Sequence, residues 1–277
     1  FYYTDGPPPP LHANPPRPPP PSTPPRRARA QAVAAMAYGV GPVPRCDVVA
    51  GPGGEWVTAA KLLVSGVVGI DLLAGPSELA VLTDEAGDPV LIAADLLAQA
   101  EHDPAALPVL ISTSAELVDH VEGELTRQLS GLPTARIARA ALQNGFAVVA
   151  TEEEALRCCE ELAPEHLQLH GSRVRGWEAS LDRFGAIFVN ESVTEVLGDY
   201  GAGPNHTLPT GGTARFTAGL SVLSFLRRPT WLNLDRGPEL EVLSRDAARL
   251  ARMEGLEAHA RAAEIRLESR GPLPDPS

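Results

Sequence analysis

The 277 residues carry 23 Lys and Arg against 35 Asp and Glu, a net charge of −12 that leaves no basic face for general nucleic-acid binding. A hydrophobic content of 44% describes a soluble globular chain, long enough for one large or two modest domains, with no run near the ~18 apolar residues of a membrane span. Cys46 and the adjacent Cys158 and Cys159 give neither a disulfide framework nor a CxxC metal spacing, so a reducing compartment is the plain reading.

Residues 1–30 differ from the rest. Twelve of the 28 prolines fall between Pro7 and Pro25, and proline fixes φ and supplies no backbone donor. The segment reads as an extended, disordered tail, or else as a linker or proline-motif ligand. It lacks the layout of a secretory signal, while Arg17, Arg26, Arg27 and Arg29 faintly resemble a transit peptide. Helical spacing begins near Gln31. Asp47–Ala50 reads as a short strand, Gly51-Pro52-Gly53-Gly54 as a tight loop and Val57–Val64 as a helix. Strand, glycine loop and helix is a phosphate-cradling order, although Pro52 removes an amide and the loop does not match GxGxxG.

Apolar runs at Gly69–Leu73 and Leu79–Leu82 flank Ala74-Gly75-Pro76-Ser77-Glu78. Helix and strand then alternate: helix Val90–Glu101, strand Pro108–Ser112, helices Ala115–Leu129 and Thr134–Asn144, strand Phe146–Ala150 and helix Glu152–Leu162. Strand Leu167–Leu169, helix Ser172–Phe184 and strand Ala186–Val189 follow. This alternation predicts an α/β layer around a largely parallel sheet. After Phe216 the composition turns helical, with a charged amphipathic stretch over Glu239–Arg270 that Gly255 should bend.

Three places hold side chains capable of chemistry. Gln99 and His102 lie three apart on one helical face, where Glu101, His102 and Asp103 oppose the usual charge preference of a helix C-terminus before Pro104 stops the helix. Ala163-Pro164-Glu165-His166 sets an acid beside an imidazole. Gly198–His206 carries Asp199, Asn205 and His206 among glycines and a proline. Loops at the carboxyl ends of strands carry the chemistry in such sheets, and the last two are expected there. Each also has a plain alternative: a solvated helix end, a chance Glu-His pair, a structural histidine.

Together these stretches resemble the histidinol dehydrogenase family. The matching pieces run in order from Ala30–Gly39 through Val49–Gly53, Ile70–Glu78, Ala94–His102, Ala163–Leu167, Gly198–Tyr200 and Gly203–His206 to Glu254–Leu256 and Ala258-His259. The resemblance implies incomplete Rossmann-like parallel-sheet domains plus a C-terminal helical domain. The implied divisions are the tail 1–30, a remnant NAD-binding domain 31–78, a second Rossmann-like domain 79–219 bearing the zinc and catalytic loops, and a helical dimer-exchange domain 220–277. It also implies a zinc-dependent homodimer that uses NAD twice, oxidising L-histidinol through L-histidinal to L-histidine in the last step of histidine biosynthesis. The setting would be the cytoplasm, or the plastid in a plant or alga.

By the same resemblance Gln99, His102, Asp199 and His259 would hold zinc, a reasonable mixed N and O set. His166 would be the acid/base and Glu165 would activate water. Ser77, Gln99, His102, His166, Asp199, His206, Glu254 and His259 would contact substrate, with Glu254 and His259 serving the partner subunit, and Gln31 would contact NAD. The sequence departs from the family where a further block precedes the position of Gln31, where Gly54 replaces an asparagine that contacts NAD, and where Ala28 and Arg29 replace two glycines. Two readings therefore compete: an NAD- and zinc-dependent enzyme, and a truncated, non-catalytic chain that keeps the zinc site without competent NAD binding. A weaker third takes the proline tail as an interaction module.

Overall fold

The computed structural model describes residues 26–267. Helix α1 (Arg26–Tyr38) takes in Arg26–Ala30, which the sequence reading placed in the tail; residues 1–25, with the rest of the proline-rich segment, lie outside the described residues. Strand β1 (Val48–Val49), helix α2 (Glu55–Val64) and strand β2 (Gly69–Ile70) follow, and the two short strands pair in parallel. Val33, Ala37, Val49, Val64 and Val68 form their small core. The apolar run Gly69–Leu73 is paired in a sheet only at its first two residues.

The larger sheet begins at β3 (Glu78–Thr83), continues through helix α3 (Pro89–Ala100), β4 (Leu107–Ser112), helices α4 (Ala115–Leu129) and α5 (Ala135–Leu142) and β5 (Phe146–Val149), then α6 (Glu152–Leu162), β6 (His166–His170) and β7 (Ala186–Val189). The strands are all parallel in the order β5-β4-β3-β6-β7, so the order reverses between β3 and β6. β3 and β6 are buried along their whole length, as expected of central strands covered on both faces. Ala80, Leu82, Leu167 and Leu169 face one layer with α6, while Leu79 and Val81 face the other with α3 and α4. Each large apolar side chain so buried contributes roughly 1.5–3 kcal/mol.

Local signals set the helix ends. Asp88 caps α3 by accepting the Val90 amide at 2.8 Å, with Pro89 at the first position, where no donor is needed. Thr151 and Glu154 close a capping box on α6. At its other end Ala163 adopts φ +45°, a left-handed conformation that a non-glycine residue rarely takes. The helix expected over Ser172–Phe184 is instead a shorter 3-10 segment, Val174–Ser180, which contains Gly176, a poor former of α-helix.

Helix α7 (Glu195–Asp199) follows β7, and irregular chain with short 3-10 turns leads onward to Leu226. The contacts divide the chain after Leu226 rather than at residue 219, and both sheets belong to the first unit. The second unit contains α8 (Pro238–Met253) and α9 (Glu257–Glu264), joined at Gly255, whose φ of +76° makes the expected break. Arg252 ties the pair by bonding Glu257 and Glu264. Among the described residues no helix is long and apolar enough to cross a membrane.

Candidate active site

Glu165 and His166 open β6, and Glu78 opens β3 beside them. This is the amino edge of the sheet, which corrects the expectation that the Glu165-His166 loop lies at a carboxyl end. The connection from α6 into β6 brings the pair there, and the left-handed turn at Ala163 aims it. Gly185 permits the packing, since a Cβ there would stand 2.5 Å from the Glu165 carbonyl oxygen.

A reciprocal clamp joins the two strand starts. The Glu78 amide donates to Glu165 Oε2 at 2.9 Å, and the Glu165 amide donates to Glu78 Oε2 at 3.3 Å. Glu78 Oε1 also accepts the Gly211 amide at 2.8 Å, which draws in the 207–212 loop. His166 Nδ1 lies 3.0 Å from the Glu78 carbonyl oxygen. A carbonyl only accepts, so Nδ1 carries the proton and Nε2 is left as the basic nitrogen. Sequence reasoning missed Glu78 as an organiser. The signal available was an acid one residue beyond Ser77, at the start of an otherwise wholly apolar strand.

Electrostatics at this edge are unusual. Burial pushes Glu165 up to about 8; the charges of Glu78 and Asp199 act in the same direction, against hydrogen bonds from the Glu78 amide and the Ser77 side chain. Burial likewise raises Glu78, opposed by its amide donors from Gly211 and Glu165. Burial pulls His166 down and keeps its imidazole neutral; the bond to Glu78 and the charge of Asp199 oppose this, while His102 and His206 add to it. His102, Asp199, His206 and Ser77 therefore all lie within electrostatic reach of the pair.

Gln99 lies in the last turn of α3, and His102, expected on the same helical face, lies just past its end in the turn after Ala100. His102 Nε2 stands 4.0 Å from Asp199 Oδ2 at the end of α7, which brings together two residues almost a hundred positions apart. Gln99 is 1% exposed and its Nε2 has no partner. Among the described residues no three His, Cys, Asp or Glu side chains gather closely enough to hold an ion by themselves. The set expected to hold zinc does not need that: its third donor is an amide, and its fourth, His259, lies on α9 in the second unit, as Glu254 does at the end of α8. An imidazole beside a carboxylate, with an unpartnered amide one turn away, fits zinc by donor type.

Gln31, expected to meet a nucleotide, is exposed on α1. The Gly51–Gly54 loop is firmly held, with the Gly51 amide on Asp71 at 2.7 Å and buried Lys61 2.5 Å from both the Gly51 carbonyl and Asp71. Gly53 permits the turn, because a Cβ there would fall 2.5 Å from Val57. Gly54 starts α2 without a side-chain cap, so backbone amides are the polar groups this loop offers. A separate cleft of about 520 Å³ at the opposite edge of the sheet, lined by Thr113, Thr151, Arg173 and Trp177, contains none of these residues.

A parallel α/β sheet with a buried acid–imidazole pair beside metal-type donors defines an enzyme-like site of acid/base character. A sequence profile of the histidinol dehydrogenase family matches residues 28–267. The chain is 49% identical over 238 residues to the histidinol dehydrogenase of Thermus thermophilus, covering 86% of this chain and 58% of that protein. It is 46% identical over 239 residues to that of Bacillus anthracis, covering 86% and 56%. The crystal structure of histidinol dehydrogenase from Elizabethkingia anophelis superposes with a TM-score of 0.80 at 34% identity, over 86% of this chain and 55% of that one. The chain belongs to the histidinol dehydrogenase family, and it spans somewhat more than half the length of these relatives.

Proposed function

We propose that this chain contributes the acid/base and metal-binding part of an NAD- and zinc-dependent oxidation of L-histidinol through L-histidinal to L-histidine. The observation that carries this reading is the convergence of the buried Glu165–His166 pair with His102, Asp199 and His206 at one edge of the sheet. Gln99, His102 and Asp199 would hold zinc, with His259 as the fourth donor, in a homodimer whose Glu254 and His259 reach the partner's site. Bound zinc would orient the amino alcohol and bound NAD would accept hydride at each of the two oxidations.

The residues of the chain supply the proton chemistry. His166 Nε2, neutral at pH 7 and unencumbered, takes the alcohol proton as hydride leaves the carbinol carbon. Glu165 then takes a proton from water as that water adds to the aldehyde, and it can do so once ionised, above about pH 8. Ser77, through its bond to Glu165, and His206 flank the substrate. Backbone amides of the Gly51–Gly54 loop would receive the nucleotide phosphates, with Gln31 nearby on α1.

The test is NADH formation from L-histidinol by the purified chain with NAD and zinc, compared with His166→Ala. A rate that zinc chelation and His166→Ala both abolish supports the reading. A soluble chain that binds zinc and forms no NADH overturns the claim of turnover. It leaves the second reading, a zinc-binding chain without competent NAD binding, which the loss of the asparagine amide at Gly54 favours.

A further inference from the structure

Beneath the residues just described lies a buried polar layer that the proposed reaction does not use. Gln168 and His170 point from β6 toward α3, where Gln168 Nε2 donates to Asp95 Oδ2 at 2.6 Å and His170 Nε2 lies 3.2 Å from the same oxygen. Gln168 also donates to the Val193 carbonyl at 2.9 Å, which fixes the chain just before α7. Glu195, in the first turn of α7, is 1% exposed; the Thr194 hydroxyl and its own amide approach its carboxyl, and no donor from any other element bonds either oxygen. A buried acceptor left unmatched costs about 1–3 kcal/mol, so a donor is to be expected close by.

The contacts place α3 and α7 side by side and running in the same direction. Gln168 links Asp95, midway along α3, to Val193, just before α7, and His102, just past the end of α3, meets Asp199 at the end of α7. Gln99 lies between Asp95 and His102, and Glu195 lies between Val193 and Asp199. Glu195 lies within electrostatic reach of both Asp95 and Asp199, which brackets its carboxyl along the stretch of the helix pair where Gln99 Nε2 is left without a partner.

The geometry points to Glu195 as a positioning residue for Gln99: its carboxyl takes the Gln99 side-chain N–H, directly or through one buried water, and so turns Gln99 Oε1 toward the metal position beside His102 and Asp199. An amide left free to flip would present a donor to a cation half the time, and the Glu195 contact removes that ambiguity. Asp95, Gln168 and His170 hold the two helices in register around it. This inference rests on the reading of Gln99 as a metal donor.

The test is the zinc affinity of the full chain, measured by competition with a chromophoric chelator, together with the visible spectrum of the cobalt-loaded protein. Glu195→Leu should weaken zinc binding ~10–100-fold and shift the cobalt bands. Glu195→Gln, which keeps an acceptor oxygen in place, should stay within ~3-fold of wild type. The decisive comparison is Gln99→Ala with and without Glu195→Leu: if Glu195 acts through Gln99, the double variant loses no more than Gln99→Ala alone. Should Leu at 195 prevent folding, Glu195→Asp replaces it, since its shorter side chain withdraws the acceptor. Additive losses, or zinc affinity and cobalt bands unmoved by Glu195→Leu, overturn the inference. A wild-type chain that takes up no zinc, or whose uptake Gln99→Ala leaves unchanged, overturns the metal reading itself and this inference with it.

Discussion

The two central strands β3 and β6 are joined by buried carboxylates at both ends, and the two ends are built differently. At the carboxyl edge Asp84 accepts the Ala86 amide at 2.8 Å and the Arg173 amide at 2.6 Å, with the Arg173 guanidinium 3.8 Å away. At the amino edge Glu78 and Glu165 exchange amides with each other, burial raises both, and the described residues place no cation beside them. A carboxylate held by amide donors beside a cation is a structural fastener, whereas one held by donors but without a cation is poised to move a proton. In this sheet the cation beside the carboxylate, rather than burial or the number of donors, separates the fastener from the working group.

Substitutions can break that contrast. The largest effect is expected from His166→Ala, which should lower kcat about 10³-fold, within the usual range for removal of an acid/base group, measured as NADH formation at saturating histidinol. Glu165→Gln should lower oxidation of the aldehyde about 10²-fold while a single hydride transfer from the alcohol persists; stopped-flow counting of NADH per site reads the difference. In the wild type the second oxidation should rise with pH and level off above about pH 8 as Glu165 ionises, and Glu165→Gln should remove that rise.

Smaller effects concern stability. Asp84→Ala should cost about 1–3 kcal/mol in urea unfolding and leave kcat unchanged, since it strips a fastener remote from the pair. A kcat loss matching that of His166→Ala would sink the contrast between the edges. The pH dependence has a definite sign. Glu78, Glu165 and Glu195 all sit above their ordinary value when folded, so their protonated forms favour the fold below about pH 4.5, and that contribution is lost as pH rises toward about 8. Thermal midpoints should fall between pH 5 and pH 8, and Glu195→Gln should flatten the decline.

Much of this was legible in the chain. Helices α3, α4 and α6 and strands β4 and β7 follow their apolar spacing and caps, and Gln99 stands in the last turn of α3 with His102 just beyond it. The meeting of His102 with Asp199 was not derivable from spacing, because it depends on where β7 and α7 come to rest; only the family resemblance linked them. Gln168 and His170 were overlooked for a physical reason. In His166–His170 polar side chains alternate with leucines, the pattern of a strand with one wet face, yet both faces are buried and the polar one covers Asp95. The edge assignment failed because the carboxyl-end rule describes where nucleotides settle, whereas here the acid/base pair opens its strand.

Placing the pair at the amino edge has one more consequence. In a parallel α/β layer the helices arrive at that edge by their carboxyl ends, as α3 does at Ala100 and α6 at Leu162. Each such end presents outward carbonyls equivalent to about half a negative charge. The field over Glu165, His166 and Asp199 therefore welcomes cations and repels phosphate. A protonated amine or a metal ion is drawn in, while a phosphate group is pushed toward the opposite edge of the sheet.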